Sequence, residues 1–200
     1  MFPMVGTTTP RFGRQQEDLP MAISLHDLSV NSYLQILGGV TAWLEQGLTH
    51  CREKGIDPAE IAETRLHPDM NMFDFQVQAI THHSIGALRA VQEGSYIAQP
   101  QIPSVSYGEL QKMILDAQEE LRQITPGELD AREGGEVIFR FRDFAIPFTT
   151  ENFLLSFALP NFYFHATTAY DILRMKGVPL GKIDFLGQMR IKADRQHDLA

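Results

Sequence analysis

Apolar residues recur at helical spacing along three segments of the chain. The first segment predicts a helix from about Ser24 or Val30 to Lys54. The second predicts a helix that ends at Gly94, and the third begins at the capping-box pattern Ser106-Tyr107-Gly108-Glu109. The three apolar stripes are Tyr33, Leu37, Val40, Leu44, Leu48 and Cys51; Phe73, Val77, Ile80, Ala87 and Val91; and Leu110, Ile114, Ala117, Leu121 and Ile124.

The period of the pattern changes before the last helix. Residues 136–142 and 144–148 alternate between apolar and other side chains, which predicts two strands joined at Arg142-Asp143. Pro147 restricts the second strand to a sheet edge, because proline donates no hydrogen bond to the sheet. We expect this hairpin to pack against the helices, since a lone hairpin is only marginally stable.

A fourth long helix is predicted from Thr150, as its N-cap, to about Lys176. Pro160 lies inside it and has no N–H to donate to the carbonyl of Ser156, so we expect a kink. Four long amphipathic helices with a hairpin before the fourth predict an all-α protein, a four-helix bundle with a small β-hairpin.

The pattern places one domain over residues 22–187, and 200 residues are enough to enclose one core. Residues 1–21 are expected to form a flexible N-terminal extension, and residues 188–200 a C-terminal tail. A weak organelle-targeting or partner-binding segment is the alternative for the N-terminal extension.

Composition and charge exclude some classes of partner. The formal net charge of −8 opposes binding to nucleic acid, because nothing offsets repulsion by the phosphates. No uninterrupted apolar stretch is long enough to cross a bilayer, so we expect no membrane partner. Cys51 is the single cysteine, which precludes an intramolecular disulfide and suits a reducing compartment, so we expect a cytoplasmic location. We expect Cys51 to be a packing residue, with a reactive thiol as the alternative.

Two of the seven histidines are predicted to face the interior. His83 lies three residues after Ile80 and borders the second apolar stripe, whereas His82 aligns with polar positions and is expected to face outward. His165 follows Asn161 by four residues in a helix that is apolar on every side. Two imidazoles on different helices of one bundle can bind a metal or a substrate together. A hydrogen-bonded core histidine is the alternative at each position.

A metal site needs a third protein ligand, and the chain contains no H-x-x-H, H-x-x-x-H or E-x-x-H pair. The loop His67-Pro68-Asp69 is one possible source of a ligand, although Asp69 is expected to cap the second helix instead. The aromatic residues between 153 and 164 are expected to form either core or the wall of an apolar ligand pocket.

Several segments of the chain share a pattern with a known family. The longest is Phe157-Ala158-Leu159-Pro160-Asn161-Phe162-Tyr163-Phe164-His165-Ala166-Thr167-Thr168-Ala169-Tyr170-Asp171-Ile172-Leu173-Arg174. The others are Leu25-His26-Asp27-Leu28-Ser29-Val30, Leu66-His67-Pro68-Asp69-Met70, Gln76-Val77-Gln78, Gly177-Val178 and Gly181-Lys182-Ile183-Asp184-Phe185-Leu186-Gly187. Together these segments, which lie within residues 22 to 187, resemble the DUF1993 family.

The DUF1993 family is grouped with the DinB/YfiT-like four-helix bundles, so the resemblance implies a bundle fold and a homodimer. Many members of that wider group bind a divalent metal such as zinc or nickel through three histidines, and some are thiol-dependent transferases or isomerases. One of these histidines comes from the second helix and two, spaced H-x-x-x-H, come from the fourth. His83 and His165 match two of the positions, and Ala169 occupies the third, so the implied metal site is incomplete.

Two functions are compatible with these observations. The first is a small-molecule enzyme with a pocket between the second and fourth helices. In it, His83 and His165 bind a metal or act as acid–base groups, and Asn161 or Tyr163 orients the substrate. The second is a non-catalytic dimeric bundle that binds an apolar ligand or a protein partner, with the histidines as core residues.

Overall fold

The protein is mostly helical with a small three-stranded sheet, as seen in a computed structural model that describes residues 23–99 and 103–192. The predicted extension at 1–21 lies outside these residues. The elements are α1 (Leu25–Leu28), α2 (Val30–Lys54), α3 (Pro58–Ala62), α4 (Phe73–His83), α5 (Ile85–Glu93), β1 (Ser95–Ile97), α6 (Tyr107–Gln123), α7 (Pro126–Asp130), β2 (Glu136–Phe141), β3 (Phe144–Thr149), α8 (Thr150–Phe153), a π-helical turn (Leu154–Ala158), α9 (Leu159–Met175) and α10 (Lys182–Leu186).

The long helices pack side by side around one core. α2 contacts α6 and α9, and α4 contacts the same two helices. Within the first predicted stripe only Leu48 is half-buried, and the other members, Cys51 included, are buried. The hydrophobic pattern therefore identified the buried face of α2. No helix in residues 23–99 and 103–192 combines the length and the apolar character that a membrane crossing requires.

Ser84 interrupts the second predicted helix and divides it into α4 and α5. Its backbone angles (φ −104°, ψ −91°) are not helical, and its hydroxyl donates to the carbonyl of Ile80 at 2.7 Å. A serine that bonds the preceding turn in this way competes with the regular helical ladder. The break makes His83 the last residue of α4. α5 then ends at Gly94, as predicted, in the left-handed conformation that glycine adopts readily (φ 74°).

The sheet contains a strand that the sequence pattern does not predict. β2 pairs with β3 in antiparallel orientation, and β1 pairs with the other edge of β2 in parallel. β1 has three residues and a partner distant in sequence, so it produces no recognisable alternation. Tyr96 of β1 lies opposite Phe139 of β2, which lies opposite Ile146 of β3. These three side chains point to one face of the sheet, on which Tyr96 and Phe139 contact Phe157.

The last long helix accommodates Pro160 because a π-helical turn precedes it. The turn, Leu154–Ala158, comes directly before α9, in which Pro160 is the second residue. A π-turn shifts the hydrogen-bond register by one residue, and such turns recur at functional sites. Thr149 rather than Thr150 is the N-cap, because its hydroxyl accepts from the backbone N–H of Asn152.

After α9 the chain forms the short helix α10, which docks on α2. The backbone of α10 approaches Gly39 so closely that a Cβ there would lie 2.8 Å from the carbonyl oxygen of Asp184. At Gly38 an added Cβ would meet open space. The close packing of α10 on α2 therefore depends on Gly39 and not on Gly38.

Candidate functional site

Two imidazole rings from neighbouring helices meet in the structure. His83 ends α4, His165 lies in the first half of α9, and these two helices pack against each other. The ring centroids are 5.3 Å apart and the ring planes differ by 12°. The sequence predicts that both rings face inward and lie close enough to share a bound group, and the structure brings them together.

His165 is held by an amide whose orientation is fixed. The Nδ1 atom of His165 lies 2.7 Å from Oε1 of Gln76, and Nε2 of Gln76 donates to the carbonyl of Asn71 at 3.0 Å. Because the Gln76 nitrogen faces a carbonyl, its oxygen must face the imidazole. The His165 Nδ1 atom is then the donor. The neutral ring consequently carries its proton on Nδ1 and a lone pair on Nε2.

His83 is held by a buried phenol. The hydroxyl of Tyr96 lies 2.9 Å from Nδ1 of His83, and Tyr96 is only 2% exposed. Burial raises the pKa of Tyr96 well above its ordinary value, so its hydroxyl keeps its proton and needs an acceptor. Nδ1 of His83 is its hydrogen-bond partner. Nδ1 therefore accepts, and the neutral His83 ring carries its proton on Nε2.

Both rings keep their Nε2 atoms free for a ligand. Neither Nε2 atom has a hydrogen-bond partner among the residues that the structure describes, and no Asp, Glu, Lys or Arg side chain there bonds to either ring. The pair thus offers one N–H donor, on His83, beside one lone-pair acceptor, on His165. A bound group with an acceptor next to a donor satisfies both.

Burial keeps both imidazoles neutral at physiological pH. Desolvation lowers the pKa of His83 to about 3, and the neighbouring His165 and His82 act in the same direction. Desolvation likewise lowers the pKa of His165 to about 4. The donor and acceptor roles deduced from the hydrogen bonds therefore hold at pH 7.

Aromatic rings surround the pair and leave it open on one side. The ring of Phe157 lies 5.7 Å from His83, and the rings of Phe75 and Phe164 lie 6.1 and 5.2 Å from His165. His83 is 6% exposed but Phe164 is 56% exposed, so the site borders the surface. Five surface cavities of 200 to 460 Å³ lie elsewhere on the described chain. None of these five cavities is lined by His83 or His165.

His82 does not face fully outward as predicted. It is half-buried, its ring lies 4.9 Å from that of Tyr96, and its Nε2 donates to the carbonyl of Ile97 at 3.1 Å. The reason is β1, which covers this side of α4 and supplies both contacts. Because its Nε2 is engaged, His82 helps to fix β1, and through β1 it helps to fix Tyr96.

Asn161 and Tyr163 occupy different places from those expected. The Asn161 amide donates to the carbonyl of Phe157 at 2.8 Å, so its bond is to the backbone of the π-turn. Tyr163 is 38% exposed and packs edge-to-face on Phe162. Two residues along a helix correspond to a rotation of about 200°. Tyr163 therefore lies on the opposite side of α9 from His165.

The donor set does not fit a three-histidine metal site. Ala169, at the third ligand position, is fully buried. His67 is largely exposed and pairs with Asp69, and α4 has Met72 as its N-cap, so the expected cap by Asp69 was wrong. No three His, Cys, Asp or Glu side chains in residues 23–99 and 103–192 are placed to hold a metal ion.

Sequence reasoning missed Gln76 and Tyr96, the two residues that orient the imidazoles. Gln76 precedes His83 by seven residues, so helical phase alone places both on one face of α4. That signal was available. Tyr96 gave no signal, because it reaches His83 only through the unpredicted strand β1.

A solved structure gives the class of the fold. The crystal structure of a DinB family member protein from Shewanella denitrificans is similar to this chain, with a TM-score of 0.69 and 27% sequence identity over 84% of this chain and 95% of that one. The protein is accordingly a DinB-like helical bundle. More particularly, it belongs to the DUF1993 family, a domain of unknown function whose pattern matches residues 25–186. Both assignments confirm the resemblance seen in the sequence. No curated protein matches the chain.

Proposed function

We propose that the protein is a small-molecule enzyme of the DinB-like class, and that His83 and His165 perform acid–base chemistry on a substrate carbonyl group without a metal ion. The bundle is interpreted as a DinB-like four-helix bundle formed by α2, α4 with α5, α6, and α8 with α9. The observation that supports the proposal is the complementary state of the two free Nε2 atoms, one a donor and one an acceptor.

The protonation state of His165 suits it to act as a general base. Its pKa of about 4 leaves Nε2 unprotonated at pH 7, while His83 offers an Nε2–H group to a carbonyl oxygen. His165 can accept a proton from a hydroxyl, thiol or water that is adding to a carbonyl, because that proton becomes strongly acidic as the new bond forms. The addition of such a nucleophile is therefore the reaction class that we favour.

Each imidazole then has one role in the addition step. The nucleophile forms a bond to the carbonyl carbon and gives its proton to Nε2 of His165. The π electrons of the carbonyl move to oxygen, where the Nε2–H group of His83 stabilises the developing charge. In an ester, amide or lactone these electrons then re-form the carbonyl as the bond to the leaving group breaks, and protonated His165 gives its proton to that group. A neutral imidazole can act as a donor to the carbonyl oxygen when its other nitrogen is held. Tyr96 hydrogen-bonds to Nδ1 of His83, and Gln76 hydrogen-bonds to Nδ1 of His165.

The proposal is tested by screening untagged protein against uncharged esters, amides and lactones. We expect turnover of at least one class, with kcat reduced at least a hundredfold in both His165→Ala and His83→Ala. His67→Ala is the matched control, because His67 is exposed and distant from the pair. Full activity in His165→Ala refutes the base role. Stoichiometric bound zinc or nickel that is lost in His83→Ala refutes the metal-free mechanism.

A second candidate function rests on a different observation. Phe144 is 67% exposed, and Phe141 and Ile146 are each almost half exposed, which is typical of surfaces that bind partners. A non-catalytic bundle that covers these residues in a homodimer, or with an apolar ligand or protein partner, accounts for them. Sedimentation of the wild type and Phe144→Ser tests it: a dimer that dissociates in the variant favours this candidate.

A further inference from the structure

An apolar surface continues from the histidine pair along the inner face of the sheet, which is the face that carries Tyr96. Phe139 and Ile146 lie on this face opposite each other. Side chains two residues further along each strand point the same way, so Phe141 and Phe144 lie there too. We call Phe139, Phe141, Phe144 and Ile146 the inner strip.

Direct ring contacts connect the inner strip to the site. The ring of Phe157 lies 5.7 Å from His83 and 4.9 Å from Phe139. Phe157 therefore forms the link between the polar atoms of the site and the apolar side chains of the hairpin. A molecule bound at the imidazoles that extends over Phe157 reaches the apolar side chains of the hairpin.

The exposure of the inner strip increases away from the site. Phe139 is half-buried, Ile146 is 46% exposed, and Phe144 at the tip is 67% exposed. The guanidinium of Arg142 lies over the ring of Phe141 at 5.1 Å, so that ring is partly covered by the chain itself. Adjoining exposed apolar side chains of this kind are costly in water and mark a place where something binds.

We infer that the substrate of the histidine pair carries an uncharged apolar tail, which lies along the inner strip from Phe157 to Phe144. This inference rests on the proposed function, because the reacting group at the imidazoles fixes where the tail begins. The rings of Phe157 and Phe139 are 4.9 Å apart, and from Phe139 to Phe141, opposite Phe144, the strip spans two further strand residues, about 7 Å. A chain of about ten carbon atoms has this total length. The substrate class is thus a neutral carbonyl compound with a medium-length hydrocarbon tail.

Unbranched primary carboxamides from acetamide to decanamide are suitable probes. Their head group offers an acceptor beside a donor, which matches the two Nε2 atoms, and only the tail length varies. Binding is measured by NMR titration of the imidazole Cε1–H signals of His83 and His165. We expect the dissociation constant to fall about two- to fourfold for each added methylene group, up to about eight.

Phe144→Ser is the test variant, and Ile146→Thr is a second variant of the same strip. Both positions are substantially exposed, so the substitutions preserve the fold, which circular dichroism verifies. We expect both to weaken decanamide binding at least threefold and to leave acetamide binding unchanged. Leu115→Ser on α6 is the matched control, because Leu115 is 52% exposed and lies outside the strip. Leu115→Ser is expected to change the binding of neither the short nor the long amide.

The outcomes separate this inference from the proposed function. If acetamide shifts the imidazole signals but longer amides bind no tighter, the apolar tail is refuted and the polar site stands. If the chain-length effect persists in both strip variants, the tail lies elsewhere and the inference is wrong. If no amide affects either imidazole, the proposed function fails and the inference fails with it.

Discussion

The substitution Gln76→Glu tests the electrostatic account of the site most strongly. It replaces the neutral oxygen that accepts from Nδ1 of His165, at 2.7 Å, with a carboxylate oxygen. A full negative charge about 4 Å from the imidazolium stabilises the protonated ring by about 4 kcal/mol at an effective dielectric constant of 20. Gln76 is 2% exposed, so desolvation of the new carboxylate opposes this gain. We estimate a net stabilisation of about 1 to 3 kcal/mol.

That energy raises the protonation constant of His165 by roughly tenfold to a hundredfold. The pKa of His165, about 4 in the wild type, then moves towards neutrality. The assay is an NMR pH titration of the His165 Cε1–H signal between pH 3 and 8. Gln78→Glu is the control, because Gln78 is equally buried on α4 but contacts Pro103 rather than an imidazole. An unchanged His165 titration in Gln76→Glu refutes the assigned hydrogen bond, and an equal change in both variants refutes its specificity.

Three further predictions concern stability and the remaining contacts. The pKa values of His83 and His165 are lower when folded than their ordinary 6.5, so the unfolded chain binds more protons between about pH 3 and 6.5. The free energy of unfolding, measured in urea, should fall as the pH drops through that window. It should fall less steeply in His165→Asn, and an equal pH dependence in the wild type and the variant contradicts this. Tyr96→Phe should lower the free energy of unfolding by about 1 kcal/mol and abolish the preference for one His83 tautomer in NMR spectra. An unchanged His83 tautomer contradicts the hydrogen bond from Tyr96 to Nδ1 of His83. Gly39→Ala should destabilise the protein by about 1 to 3 kcal/mol in thermal unfolding, whereas Gly38→Ala should stabilise it slightly; equal effects contradict the docking of α10.

Helical periodicity predicted the helices and the inward direction of two histidines, because both follow from which side of a helix is apolar. The core positions of α2 and the phase of His83 on α4 are local properties of the chain. The break at Ser84 and the short helices α7 and α10 are not evident from that period. They depend on single hydrogen bonds and on docking against α2.

The parts of the site that were missed depend on contacts between elements distant in sequence. Tyr96 reaches His83 because β1 pairs with β2, a contact that no local pattern encodes. Tyr163 was chosen because it is near His165 in sequence, yet two residues along a helix lie on opposite sides. Asn161 was expected to orient a substrate, but the π-turn before Pro160 supplies a backbone carbonyl that its amide binds.

The expected homodimer, the cytoplasmic location and the absence of nucleic-acid and membrane partners stay predictions. The bundle fold and the family, by contrast, are established by the match over residues 25–186 and by the similar DinB-family structure.

The central claim is that the two imidazoles offer one ligand complementary groups, an Nε2–H donor on His83 and an Nε2 lone-pair acceptor on His165. A long-range proton–nitrogen NMR spectrum of untagged protein, labelled with nitrogen-15 at histidine and recorded at pH 7, tests it most directly. The structure predicts two neutral rings, with the proton on Nε2 of His83 and on Nδ1 of His165. A charged ring at either position, or the proton on the same nitrogen in both, contradicts the claim.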